Sequence, residues 1–199
     1  MRSRSSKRAS LPAPMGAASG TVAGGAAAAL PLRPADSAAK RSFDIATALS
    51  LLIFFAPLMS LIAVVVWCSG DGILSAEDHV GVDGRIFRRW QFRLCTGPIG
   101  RLLRNASLDQ LPQLFNVVTG EMSLVGPRAL AAAELSRYGV ALADYQNCRP
   151  GLTGLWQISG CSSRNYLHRV ELDRFYARNW SFRTDLAILI QTPGQPLAR

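Results

Sequence analysis

The sequence predicts an α+β, mainly helical fold: a monotopic membrane protein with a kinked re-entrant N-terminal helix and a cytoplasmic module. Three observations predict it. Ile45 to Trp67 carries no charge in a chain of 199 residues that is 49% hydrophobic, so membrane contact precedes any argument about fold. Basic residues flank that run on both sides, Lys40 and Arg41 before it and Arg85, Arg88, Arg89 and Arg93 after it. Positive flanks stay cytoplasmic, which puts both ends on one side. From Val80 onward, alternating and helical apolar patterns interleave, as in a soluble module lying on a membrane.

Residues 1–39 are rich in Ala, Gly, Ser and Pro behind Arg2, Arg4, Lys7 and Arg8. That composition buries too little apolar surface to order itself, so a disordered basic segment is expected. A cleaved signal peptide is the rival reading, although AGGAAAALPL lacks the large apolar residues such a core needs. Residues 40–68 are expected to form a kinked, membrane-embedded helix. Straight, the apolar run would span roughly 30 Å or slightly more. Pro57 near its middle removes a backbone donor and crowds the carbonyl of Ile53, which predicts a kink. A bent helix that dips in and returns satisfies the basic flanks. A straight span satisfies the length, because proline is tolerated in membrane helices.

Residues 69–199 are expected to form the cytoplasmic domain. VDGRIFRRWQFR alternates after an Asp-Gly turn and predicts a hairpin or short strand. IGRLLR predicts one or two helical turns. LDQLPQLFNVV predicts a helix with Leu108, Leu111, Phe115 and Val118 on its apolar face. MSLVGPR predicts an extended piece ending in a Gly-Pro turn, and Ala129 to Tyr145 a helix of good formers. CRPGLTGLWQISG predicts loop and strand. Asn165 to Asn179 predicts an amphipathic helix with Tyr166, Val170, Phe175 and Tyr176 on its buried or membrane-facing side. Trp156 and Trp180 suit either headgroup anchoring or a core.

The net charge is +9, and only Lys7 and Lys40 are lysines. Arginine presents a planar fork suited to phosphate and carboxylate, although codon preference explains the same bias. No helix-turn-helix, zinc finger or aromatic-basic signature points to nucleic acid as the anion. Cysteines 68, 95, 148 and 161 form no Cys-x-x-Cys pair, and only His79 and His168 could join them. Free thiols facing the cytoplasm are expected, not a zinc site or disulfides.

The stretch SLDQLPQ, residues 107–113, has two readings. In one, Ser107 and Gln110 form a capping box, with Asp109 favoured by the dipole of the first helical turn. In the other, Asp109 is a reactive carboxylate. Arg104 precedes it by five residues and Arg128 follows a Gly-Pro turn. Two arginines converging on an exposed carboxylate resemble a phosphate-handling site. There the carboxylate attacks, the guanidiniums neutralise phosphoryl oxygens and a metal bridges the leaving diphosphate.

The block LRNASLDQLPQLFNVVTGEMSLVGPRA resembles the signature of the bacterial sugar transferases, the monotopic polyprenyl-phosphate hexose-1-phosphate transferases. KRSFD before the apolar run, RPGLTGLWQISG and WSFRTDLAILI resemble it in the same order, from about Lys40 to Thr192. Within the family the chain is most similar to enzymes that start exopolysaccharide synthesis. The resemblance implies a membrane-dipping helix with both ends cytoplasmic and a catalytic module on the cytoplasmic side of the inner membrane. It implies transfer of a hexose phosphate from a UDP-hexose to undecaprenyl phosphate, releasing UMP, with Mg2+ as cofactor. Asp109 falls at the family's nucleophile and Gln110 at its metal-binding glutamate. Arg104 and Arg128 fall on positions associated with the nucleotide phosphates or uridine.

The chain departs from the family pattern at several points. Gln110 replaces a carboxylate with a neutral amide, a poorer magnesium ligand. Gln91 stands for the basic residue before Phe-Arg, Ala129 for the second proline of Pro-Arg-Pro, and the 94–99 segment is shortened. Two readings therefore stand: an active phosphoglycosyl transferase, or a catalytically weak paralogue that scaffolds or regulates the polysaccharide-assembly proteins at the membrane lipid.

Overall fold

The computed structural model describes residues 33–68, 72–93, 97–160 and 166–192. The expectations for residues 1–32, for the shortened stretch 94–96 and for Cys95 and Cys161 lie outside the described residues. Arg33–Ala39, expected within a disordered lead, is instead built into the structure. Pro34 and Ala35 are buried, and the Ala35 amide donates to the Asn147 carbonyl. Arg33 reaches Asp83 at 2.7 Å.

Helix α1 covers Ala38–Trp67, and its first turn is capped by the Ser37 hydroxyl, which accepts from the Lys40 amide. Its 30 residues would make about 45 Å of straight helix. The helix continues through Pro57. One face packs on the module for most of its length: Lys40, Asp44 and Ala48 near the start, Ile62 and Val66 near the end. Ile62 and Val66 form a cluster with Phe92 and Leu103. The opposite face, including Leu49, Leu61 and Val64, is exposed. Around the proline, Ile53, Phe54, Ala56 and Pro57 are all exposed, so mid-helix is the least covered part.

Strands β1 (Leu74–Val80) and β2 (Ile86–Phe92) form the predicted hairpin, pairing Leu74 with Phe92 and Val80 with Ile86. The turn needs two left-handed residues and gets them from Asp83 and Gly84. Helix α2 (Pro98–Asn105) begins on a proline, whose missing N–H costs nothing at a first turn. Helix α3 covers Gln113–Thr119 and ends at Gly120, φ 96°. Its register corrects the expectation. Gln113, Leu114, Asn116 and Val117 are buried, whereas Phe115 is exposed and Leu108, Leu111 and Val118 are partly covered. Asn116 turns inward because its amide accepts from the Trp90 N–H and donates to the Arg88 carbonyl, tying α3 to β2.

Strand β3 (Ser123–Val125) runs parallel to β5 (Gly151–Thr153), and β4 (Leu130–Ala131) extends the hairpin sheet beside β1. The single helix expected over residues 129–145 is broken. β4 takes its first residues and a 3₁₀ turn follows. Short α4 (Leu135–Tyr138) and α5 (Leu142–Gln146) flank Gly139, at φ 48°. Tyr145 fixes the end of this segment, its hydroxyl donating to Val80 and accepting from the Leu130 amide. Leu155–Ile158, expected as loop or strand, is a helical turn, α6.

Helix α7 (Tyr166–Arg178) buries Arg169, Asp173 and Tyr176, while Phe175 is exposed, a more polar inner face than expected. Helix α8 (Phe182–Gln191) starts on a Ser181 cap. Trp156 is buried, and Trp180 donates to Asp185 from a partly covered position. Among the described cysteines, Cys68 is exposed and Cys148 buried, both free thiols.

Candidate active site

A cleft of about 300 Å³ opens where α2, the turn before α3, β2 and the β3–β4 connection meet. Arg89, Arg104, Asp109, Gln110, Arg128 and Trp156 line it. The four residues singled out in the sequence as catalytic or phosphate-binding thus share one wall; Pro57 lies apart on α1.

Asp109 sits in a single 3₁₀ turn, Leu108–Gln110, and not in the first turn of a longer helix. Ser107 enters this turn at φ 53°, a left-handed conformation, and its side chain caps nothing. The capping box is therefore absent. A non-glycine residue held in this region needs support from its surroundings, and here it turns the chain so that Asp109 faces the cleft. Asp109 and Gln110 are half-buried; Asp109 lines the cleft while its Oδ1 is turned away from solvent. Arg104 projects from the last turn of α2 and is exposed.

Arg128 is placed by close backbone approach. Gly126 lies against Arg149 and Gly151, and a Cβ at position 126 would strike the Arg149 carbonyl. The Gly126 amide donates to Thr153 and the Gly151 amide to Pro127, both at 2.9 Å. Beyond this corner, the Arg128 backbone N–H donates to Asp173. Its guanidinium lies 5.9 Å from the centroid of the Trp156 ring. Burial holds its pKa below the usual range, and the neighbouring Arg169 adds to the effect. Arg169 is itself buried and lies 4.7 Å over the Tyr166 ring. Arg169 Nε and Trp156 Nε1 are buried donors without a hydrogen-bond partner among the described residues. Arg128 and the Trp156 N–H thus line the cleft with Arg169 buried nearby, an arrangement suited to an anion.

Two contributors escaped the sequence analysis. Arg89 reads there only as a membrane flank, yet it lines the cleft and pairs with Glu77 across the hairpin at 3.0 Å. The signal was its register: Phe87, Arg89 and Gln91 share one face of β2, and Phe87 is core. Arg169 sits four residues before Asp173 on α7, so both project to the same side.

The chain matches the sequence model described as bacterial sugar transferase over residues 35–98 and 94–199. The chain belongs to the bacterial sugar transferase family. It is 37% identical over 203 residues to the exopolysaccharide production protein ExoY of Rhizobium meliloti, covering 84% of this chain and 90% of that one. It is 38% identical over 193 residues to a UDP-galactose-lipid carrier transferase of Erwinia amylovora. It is 36% identical over 193 residues to an undecaprenyl-phosphate galactose phosphotransferase of Salmonella typhimurium. Each of the latter matches covers 80% of this chain and 40% of the relative, so this chain spans less than half the length of those two proteins.

Proposed function

We propose that this sugar transferase moves a hexose-1-phosphate from a UDP-hexose to undecaprenyl phosphate, the first step of exopolysaccharide biosynthesis. The observation that carries the reading is a half-buried carboxylate, Asp109, in a cleft that it shares with three arginines, Arg89, Arg104 and Arg128. It is the sole acidic side chain among the described residues lining that cleft. A lone acid among arginines is set up to meet phosphorus, because the cations offset the charge that otherwise repels an anionic nucleophile.

In the first half-reaction an Asp109 oxygen attacks the sugar-bearing phosphorus of the UDP-hexose. A P–O bond to Asp109 forms, the bridging P–O bond breaks, and UMP leaves with the electron pair. Arg128 and Arg89 neutralise the nucleotide phosphates, and Trp156 offers a flat apolar surface with a free N–H beside them. In the second half-reaction a phosphate oxygen of the lipid attacks the same phosphorus. The Asp109–P bond breaks, the carboxylate is restored, and a lipid-linked hexose diphosphate is released. Arg104, next to Asp109, serves both halves.

The described residues contain no cluster of three metal-ligating side chains. Magnesium is commonly held by one or two carboxylates together with substrate phosphates. Here Gln110 would offer a weaker amide oxygen beside the Asp109 carboxylate, and the diphosphate oxygens would supply the rest. The ion, when bound, would neutralise diphosphate charge and ease departure of UMP.

The membrane reading rests on α1. Its N-terminal and C-terminal parts both pack on the same module, which a helix crossing a bilayer would have to pull apart. Its outer face is apolar, and its least covered stretch surrounds Pro57. We therefore favour a helix that enters the inner membrane, bends at Pro57 and returns, with the cleft at the cytoplasmic surface. The second reading, a weak paralogue that scaffolds or regulates polysaccharide-assembly proteins, is favoured by Gln110 standing where a second carboxylate is expected. UMP release from UDP-galactose and UDP-glucose by membranes containing the protein, with and without Mg2+, separates the two. Release that requires undecaprenyl phosphate for sustained turnover supports the transferase. No release from either donor by folded protein supports the scaffold.

A further inference from the structure

A second recess, of about 220 Å³, shares Arg104 and Asp109 with the main cleft and adds Ser75, Gln91, Phe92 and Arg93. Phe92 in turn also lines a groove of about 250 Å³ formed by Met59, Ala63, Leu74, Pro112 and Phe115, beside α1. The three hollows thus adjoin one another: Arg104 and Asp109 line both main cleft and recess, and Phe92 forms a wall common to recess and groove. Their chemistry changes along that line. The main cleft carries Arg89, Arg128 and Trp156. The recess carries Arg93 and, apart from Asp109, no acid among the described residues. The groove is lined almost wholly by apolar side chains, yet Phe115 and Leu74 are left exposed.

We infer that recess and groove together form the acceptor site: a lipid monophosphate lies with its phosphate between Arg93 and Arg104 and its first hydrocarbon units in the groove against Phe92, Phe115 and Met59. This rests on the transferase reading above and deepens it. A phosphate monoester has up to two negative charges and calls for arginine at one end, while a hydrocarbon chain calls for a dry apolar wall at the other. The two ends adjoin at Phe92, and Met59 and Ala63 of the groove belong to α1, the helix whose outer face is already apolar. Donor and acceptor then reach Asp109 through separate hollows. This fits one carboxylate that meets two phosphates in succession, with Arg104 common to both.

The test uses full-length protein in lipid nanodiscs and a polyprenyl phosphate carrying a photoactivatable diazirine near its phosphate end. After irradiation, labelled peptides are mapped. The expected label falls on Met59, Phe92 or Phe115. It is displaced by undecaprenyl phosphate but not by undecaprenol or phosphatidylglycerol. In parallel, Phe115→Asp raises KM for undecaprenyl phosphate about tenfold and leaves KM for UDP-hexose in place, the loss expected when an apolar contact is replaced by a charge. Label on the α8 face at Leu186 or Ile190, or displacement by phosphatidylglycerol as readily as by undecaprenyl phosphate, overturns the inference. So does a Phe115→Asp enzyme with unchanged acceptor KM. Labelling needs no turnover. Protein that labels in the groove but never releases UMP counts against the transferase reading alone, and protein that releases UMP but labels elsewhere counts against the groove alone.

Discussion

Lys40 Nζ lies 2.6 Å from Asp185 Oδ2, and both side chains are 4% exposed. The pair joins the start of α1 to α8, 145 positions away. Tyr176 donates to the other Asp185 oxygen at 2.6 Å, Trp180 to the same oxygen as Lys40, and Lys40 also donates to the Val125 carbonyl. One turn along α1, Asp44 accepts from Ser123 and from the Leu124 amide. The motifs KRSFD and WSFRTD thus close on β3, the strand that leads into the Gly126–Pro127 corner and Arg128. Helix α1 and the wall that carries Arg128 share one buried polar joint.

Removing one partner of such a pair leaves a buried charge uncompensated, at a cost of about 3–5 kcal/mol. Lys40→Met is expected to lower unfolding stability in detergent by that amount and to open the α1 junction to limited proteolysis. Lys40→Arg, which keeps the charge but not the fit, is expected to fall between. Wild-type stability in Lys40→Met would mean that the joint is an incidental contact.

What could be read in the sequence was whatever local chemistry decides. The Asp83–Gly84 turn and the alternation of β2 fixed the hairpin, and the uncharged apolar run from Ile45 to Trp67 fixed α1. The convergence of Asp109, Gln110, Arg104 and Arg128 was legible only through motif order. What failed was settled at long range. Asn116 is buried because the β2 backbone needs partners, so the apolar face drawn through Phe115 was misjudged. The helix over 129–145 loses to β4 pairing and to Gly139. Arg169 and Asp173 form part of the polar interior behind Arg128, although an arginine and an aspartate on an amphipathic helix read as solvent-facing by default.

Asp173 ties that interior to pH. Burial pushes its carboxyl up to about 7, opposed by the Tyr138 hydroxyl, the Arg128 amide and the Arg169 charge. Tyr138 meets it at 2.7 Å. A carboxyl whose folded pKa is raised contributes stability in full below the unfolded value, about 3.9, and loses it as pH rises through the folded value. Stability is therefore expected to fall between about pH 4 and 7 on account of this group, by an amount on the order of a few kcal/mol. Asp173→Asn keeps an acceptor for Tyr138 and should flatten that slope in thermal unfolding measured across the range. An unaltered slope would assign the dependence to other groups.

Arg128 follows a rigid corner and its guanidinium lies 5.9 Å from the centroid of the Trp156 ring, so charge alone does not describe it. Arg128→Lys preserves the charge but loses the planar fork and the stacking. KM for UDP-hexose is expected to rise about tenfold, the cost of one charge-assisted contact, with less effect on the acceptor KM. Equal rises in both would place Arg128 at the shared phosphorus and not at the nucleotide.

Gln110 sits beside Asp109 with an amide where a carboxylate would hold a divalent cation more firmly. Gln110→Glu is expected to leave activity intact or raise it, and to lower the Mg2+ concentration needed for half-maximal UMP release. A large loss would show that this position does not face the ion.

The proposed transfer runs through a covalent phosphosugar on one carboxylate. Protein incubated with UDP-hexose and Mg2+ but no lipid acceptor, quenched and mapped by peptide mass spectrometry, reads it directly. A hexose-phosphate adduct is expected on Asp109, appearing with one equivalent of UMP, disappearing when undecaprenyl phosphate is added, and never forming in Asp109→Asn. An adduct on another side chain, or turnover retained in Asp109→Asn, would contradict it.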